Sequence, residues 1–368
     1  MTRKALNLAV FEGKAQGVLW QPRLETWIGH HMAEGTMPAR FKGMSSLEIY
    51  DALRCSVRYA ASAGIEWFEE RADLVRIEEH HPDHSVHIVR TPVGEIRTVH
   101  QEIWEANKLR NSRIVGFPVK TTQDLRVATD LTNRQQFRVN LSAFEKAAAA
   151  VGHRAEPTIF LCSSGFTDLI KWWAGLPGTY YLLQDHPQEV EEHLEACDRR
   201  DDRLIDAALQ LPCRLFNFGD HATNEFTPPP ILKRYLIPRW RRLSERLHEA
   251  GRFAHSHWDG HARQILPYLQ ETGLDAVEAL TPAPMGDITL EQIKAAVGDR
   301  MVVLDLLPAI DFLPYRPVKA LLEFARRVID MFAPRLILGV SDELSQVGEI
   351  EKVEAVTDLV DKVCRLPD

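Results

Sequence analysis

The sequence predicts an α/β fold, a closed (β/α)8 TIM barrel with an N-terminal helical and hairpin elaboration, and three observations carry that expectation. From about residue 157, short apolar runs alternate with amphipathic helical stretches, the pattern of parallel strands joined by crossover helices. The number of such units, with an early strand at 18 to 23, favours a closed barrel over an open sheet. The turn after that first strand, Gln21-Pro22-Arg23-Leu24-Glu25, also lacks the glycines of the phosphate turn that opens a doubly wound sheet.

Taken in order, Val18-Leu19-Trp20-Gln21-Pro22-Arg23 reads as a strand, and Leu47, Tyr50, Leu53 and Val57 recur at helical spacing over about 45 to 63. Val86 to Val89 and Ile96 to Ile103 alternate about the turn Thr91-Pro92-Val93-Gly94, a hairpin pattern, and helices are expected over roughly 122 to 150. Thr158 to Cys162, Arg214 to Asp220, Arg252 to His257, Leu274 to Leu280, Met301 to Leu307 and Arg335 to Val340 then read as strands. Helices are expected between them over Pro228 to Ala250, whose first turn carries three prolines, over His261 to Thr272 and over Thr289 to Val297. One domain spanning 1–368 is expected, with the elaboration inside 1–150 and the regular units over 157–368.

Composition narrows the function classes. With 45% hydrophobic and 26% charged residues the chain is of ordinary globular type. A net charge of -8 argues against a nucleic-acid partner, which favours a basic face. No apolar run approaches the ~18 residues of a membrane span, and the N-terminus lacks the apolar stretch of a signal peptide. Five scattered cysteines without a CxxC pattern fit a reduced, cytoplasmic protein, and argue that a metal site here is not built on thiolates.

In a (β/α)8 barrel the chemistry sits at the C-terminal ends of the strands, and those ends are polar here. His255 and His257, two apart on a strand, point the same way. With Glu278 and Asp342, at or near the ends of later strands, they make a coherent set of two imidazoles and two carboxylates suited to a divalent ion, zinc foremost, and also to iron, manganese or cobalt. A carboxylate inside an apolar strand is costly to bury unpaired, which favours a paired or functional role for Glu278. Asp220 and Asn224 follow another strand, and Gln21 and Arg23 end the first; Gln21, Arg23 and Asn224 are candidate substrate contacts and Asp220 a candidate catalytic residue. His221 and Asp305 are the candidate proton donors. His30-His31 and His80-His81-Pro82-Asp83-His84 read as solvated loop residues.

The chain resembles the uroporphyrinogen decarboxylase superfamily, and within it the methyltransferase-like branch, over about 15 to 365. The resemblance is carried by Gln21-Pro22-Arg23-Leu24-Glu25, Pro118-Val119-Lys120-Thr121 with Asp124-Leu125, Gly219-Asp220, His255-Ser256-His257, Thr272-Gly273-Leu274-Asp275, Pro284-Met285-Gly286-Asp287-Ile288-Thr289-Leu290 and Gly298-Asp299-Arg300. It lacks the Arg-Gln-Ala-Gly-Arg signature of the true porphyrinogen decarboxylases. The zinc methyltransferases of the superfamily, and the similar barrel of cobalamin-independent methionine synthase, carry a His-x-Cys, Glu, Cys pattern. On this chain that pattern falls on His255, His257, Glu278 and Asp342, with each thiolate replaced by another ligand type. The resemblance therefore implies methyl transfer from, or demethylation of, an O- or N-methylated small substrate, the alternatives being metal-assisted decarboxylation or hydrolysis of a small acid and a non-catalytic barrel that binds a small molecule. It also implies a homodimer. Any corrinoid methyl acceptor would be presented by a separate protein, because no DxHxxG motif is present. The absence of a glycine-rich nucleotide loop argues against NAD or ATP.

Overall fold

The computed structural model describes residues 1–59, 62–69, 73–105 and 108–363. The chain forms two compact units, one of Met1–Gly64, Asn140–Leu161 and Leu211–Asp368 and the other of Ile65–Val139 and Cys162–Gln210.

The first unit is built on seven parallel strands: β1 (Leu19–Trp20), β2 (Thr158–Leu161), β3 (Leu215–His221), β4 (Phe253–His257), β5 (Ala276–Glu278), β6 (Val302–Pro308) and β7 (Leu336–Ser341). Their spatial order is β1-β7-β6-β5-β4-β3-β2, so from β2 to β7 each strand pairs with the next in sequence, while β1 pairs with β7. The sheet curls: Leu19, Leu215, Ala276, Val302, Leu304 and Ile337, from strands between β1 and β3, meet in one apolar cluster with Phe253 packed against it. Leu6, Val10 and Phe11 of the helix Arg3–Glu12 belong to the same cluster. Thr2 caps this helix and Gly13 ends it at φ 71°, where a side chain would also strike the Arg335 guanidinium.

The expected closed eight-stranded ladder is not what the described residues form. Beside β1 runs the extended segment Cys55–Tyr59, held by Ser56 N–H donating to the Trp20 carbonyl (2.9 Å) and the Gln21 side-chain amide donating to the Val57 carbonyl (2.7 Å). Arg54 and Tyr59, at either end of this segment, sit at positive φ, and no strand ladder is formed along it.

The helices follow their strands as the apolar periodicity requires. Val318–Phe332 buries Leu321, Ala325, Val328, Ile329 and Phe332 on one stripe and packs on β6 and β7. Each of the four large side chains in that stripe stabilises the unit by roughly 1.5–3 kcal/mol. Leu290–Val297 starts at Thr289, whose hydroxyl accepts from Gln292 N–H while the Gln292 side chain accepts from Thr289 N–H. The expected helix over His261 to Thr272 shrinks to a short 3-10 turn, Leu266–Glu271.

The second unit holds a four-stranded antiparallel sheet of Val75–His80, His84–Thr91, Gly94–Glu105 and Lys108–Gly116, in that order. The expected hairpin is its middle pair. The expected helical stretch over 122 to 150 is broken by a strand, Gln135–Val139, which pairs antiparallel with Ile65–Glu69. Helix Thr122–Arg134 packs on the sheet through Val127 and Leu131 against Val89 and Ile96. Among the described residues, no helix is long and apolar enough to cross a membrane.

Candidate metal centre at the strand ends

Strand periodicity layers the inside of the curled sheet. Leu19, Leu215, Phe253, Ala276 and Ile337 belong to the apolar cluster. Two residues further along each strand stand Gln21, Asn217, His255, Glu278 and Gly339. One step of two thus changes an apolar layer into a polar one. Gly339 leaves room for a carboxylate: a side chain there would lie 2.4 Å from Asp305 Oδ1 and 2.9 Å from the Gln21 carbonyl.

The centre of the polar layer is Arg58. Its Nε donates to Gln21 Oε1 (2.8 Å), Nη1 to Glu278 Oε2 and Asp305 Oδ2 (both 3.1 Å), and Nη2 to Asp305 Oδ1 (2.7 Å). All three charged side chains are buried. Burial pushes both carboxyls up. The His255, His257 and Arg58 contacts overcome this at Glu278, which lies well below the usual carboxylate range, whereas Asp305 stays raised despite Arg58. Tyr59 OH donates to Glu278 Oε2 and accepts from Asn217 Nδ2 (3.2 Å), and its ring stacks on His255. Tyr59, Ala279, Asp305 and Leu306 all have φ between 56° and 80°. Each costs of order 1–3 kcal/mol for a non-glycine residue, and together they place backbone strain around one set of charged groups.

His257 joins this layer to the strand ends. Its Nδ1 lies 3.0 Å from Glu278 Oε1. An ionised carboxylate only accepts, so Nδ1 carries the proton and Nε2 faces outward. That Nε2 is buried and has no hydrogen-bond partner. It lies 3.5 Å from Asp259 Oδ2 and 3.9 Å from Asp342 Oδ1, and Asp259 Oδ2 lies 3.7 Å from His221 Nδ1. His221, His257 and Asp259 each turn a donor atom into a region where all three lie within 4.8 Å of one another. The site favours positive charge. Burial opposes a proton on His257, yet the Asp259 and Glu278 contacts outweigh it and raise the imidazole to about 10. Asp259 is held below the usual carboxylate range: burial raises it, and His221 and His257 more than compensate.

A bulge creates the trio. β4 pairs with β3 as His255 with Asn217 and Ser256 with Phe218, and the register then jumps so that His257 stands opposite His221.

Of the expected residues, the structure brings His255, His257, Glu278, Asp305, Asp342, Arg23, Gln21 and His221 to this end of the sheet. Asp342 accepts from Arg23 Nη1 (2.6 Å), whose other branch binds Glu343, and the Arg23 guanidinium lies 5.4 Å from the Tyr59 ring centre. Both oxygens of Glu278 are already engaged, so it stands behind His257 and not beside it as a fellow ligand. Gln21 braces Arg58. Asp220 is not part of the group: its carboxylate accepts from Arg239 Nη1 (3.0 Å) and Trp240 Nε1 (2.8 Å), fastening helix Ile237–Glu249 to β3. Asn224 is taken up by loop contacts, accepting from Gln264 N–H (3.1 Å) and donating to Asp287 (3.3 Å). Sequence reasoning missed Arg58, Tyr59, Asn217 and Asp259. Asn217 was within reach, since it stands two residues after Leu215 in step with His255.

No protein-family model matches the chain, and no curated protein matches it in sequence. Among solved structures, its fold is similar to a methyltransferase from Methanosarcina mazei, with a TM-score of 0.62, 11% identity and 99% of each chain covered. A B12-independent methionine synthase from Shewanella sp. W3-18-1 superposes over 95% of this chain and 96% of that one at 11% identity and a TM-score of 0.42. At such identities the first likeness is one of fold: an α/β architecture on a curled parallel sheet.

Proposed function

We propose that this chain is a metal-dependent enzyme of the methyl-transfer type, acting on a small substrate whose methyl group sits on oxygen or nitrogen. The observation that carries the metal part is the buried, unpartnered Nε2 of His257, aimed at the donor atoms of His221 and Asp259. Buried polar atoms are rarely left unmatched without a reason. His221, His257 and Asp259 would hold the ion, with Asp342 the nearest further donor. Two imidazoles and carboxylate oxygens fit zinc and its divalent neighbours. A divalent ion bound there supplies Lewis acidity toward a substrate oxygen or nitrogen.

The chain's own groups do the rest. Glu278 fixes the tautomer and direction of His257, as second partners of metal-binding histidines do. Arg58 holds Glu278 and Asp305 in place, and Arg23 holds Asp342 and Glu343. The Tyr59 ring, stacked on His255 with the Arg23 guanidinium over it, holds its hydroxyl on Glu278. On this reading the curled sheet is a (β/α)8-type scaffold with Cys55–Tyr59 in the eighth position. The methyl-transfer part is supported by the fold likeness and by the superfamily resemblance of the sequence. The acceptor is then a nucleophile brought by a second molecule, a corrinoid on a separate protein being the expected one.

Methyl-labelled O- and N-methyl compounds incubated with the zinc-loaded protein and free cobalamin in its reduced state test the reading. Label on the corrinoid, lost in His257→Ala, is expected. Label released as methanol, or loss of carbon dioxide without methyl transfer, would replace it with a hydrolase or decarboxylase.

A further inference from the structure

The second unit carries another group of ligand-type side chains. The sheet face that holds Val89 and Ile96 is apolar where it meets helix Thr122–Arg134. Followed along the strands by steps of two, the same face continues to Glu78, His80, Ser85, His87 and His100. The pairing sets them side by side: Glu78 opposite His87, His80 opposite Ser85, and Ser85 opposite His100. Glu78 Oε1 lies 3.5 Å from His80 Nε2 and 3.4 Å from His87 Nε2. The His87 and His100 rings are 4.6 Å apart between centres, and the buried Ser85 hydroxyl lies 3.3 Å from His87 Nε2.

These histidines are strand residues, in contrast to the loop expected for His80. Ion pairing with Glu78 accounts for one imidazole but not for three on one face, since two protonated rings in contact repel. Imidazoles grouped around a carboxylate are the donor types that divalent transition metals take.

We propose that Glu78, His80, His87 and His100 form a second site for a divalent transition-metal ion of the zinc, nickel or copper class. The imidazoles of His80 and His87 flank the carboxylate, and exposed side chains of this kind reorient within nanoseconds to close on an ion.

The site is independent of the centre at His257, so the test is made in its absence. Zinc is titrated calorimetrically into the full chain carrying His257→Ala. About one equivalent is expected to bind, and adding His87→Asn or His80→Asn is expected to weaken that binding at least about tenfold. In the otherwise unchanged chain, His87→Asn should leave the equivalent at His257 in place. The substituted side chains are partly exposed, so the variants should fold with unchanged thermal transitions. No zinc binding to the His257→Ala chain, or binding that is the same with and without His87 and His80, would overturn the proposal. Loss of both equivalents with His257→Ala alone would overturn it while leaving the first centre standing.

Discussion

Replacing Arg58 with methionine keeps the length of the side chain and removes the only cation that Glu278 and Asp305 share among their described hydrogen bonds. The relative exposures of the three side chains are 2%, 1% and 0%, so water cannot take the place of the guanidinium without opening the sheet. Removing one partner from a buried ion pair costs about 3–5 kcal/mol, a large share of the roughly 5–15 kcal/mol that holds a folded protein together. Denaturant unfolding at neutral pH should report that loss. Tryptophan fluorescence reports on this unit among others, because four of the eight tryptophans, Trp20, Trp27, Trp240 and Trp258, are buried in it. Adding Asp305→Asn to Arg58→Met should recover part of the stability by removing the carboxylate left without a charged partner, since Glu278 keeps His257 and Tyr59. A loss under about 1 kcal/mol, typical of solvated pairs, or a double variant weaker than the single one, would refute a charge-locked interior.

Three further outcomes follow from the same geometry. Glu278→Gln should keep zinc bound but lower its affinity by about 10–100-fold, as for a partner behind a metal-bound histidine; complete loss of zinc in the well-folded variant would make Glu278 a ligand. Gly339→Ala should destabilise the first unit by about 1–3 kcal/mol by overpacking, because its methyl group would meet Asp305 and the Gln21 carbonyl; an unchanged unfolding midpoint would show that the strand yields. The third concerns His193, which burial, with Arg200 adding, pushes down to about 3. Between its ordinary value near 6.5 and about 3 the unfolded chain binds a proton that the folded chain refuses. Stability attributable to His193 should therefore fall as pH falls, by up to about 1.4 kcal/mol per unit. His193→Gln should flatten that slope relative to wild type, and equal slopes would contradict the assignment.

The parallel sheet was legible because its strands are short apolar runs separated by amphipathic helices, a signal that local periodicity carries. His255, His257 and Glu278 were legible because polar groups stand out inside such runs. The metal group itself was harder to read. His221 reaches His257 through a register jump between Ser256 and His257, and nothing in the residue types announces a bulge there. Asp259 lies past the end of its strand, where periodicity gives no direction. Arg58 and Tyr59 lie on a segment without a ladder, and their importance appears only when strands distant in sequence close around them. Asp220 misled because an acid at a strand end reads the same whether it faces the cleft or a helix; Arg239 and Trp240 decide that it faces the helix.

The most direct measurement is a crystal of the zinc-loaded protein with data collected on both sides of the zinc absorption edge. An anomalous peak is expected within bonding distance of His257 Nε2, His221 and Asp259, with Glu278 still on His257 Nδ1. A peak coordinated by His255 and Glu278, or none near His257, would contradict this assignment.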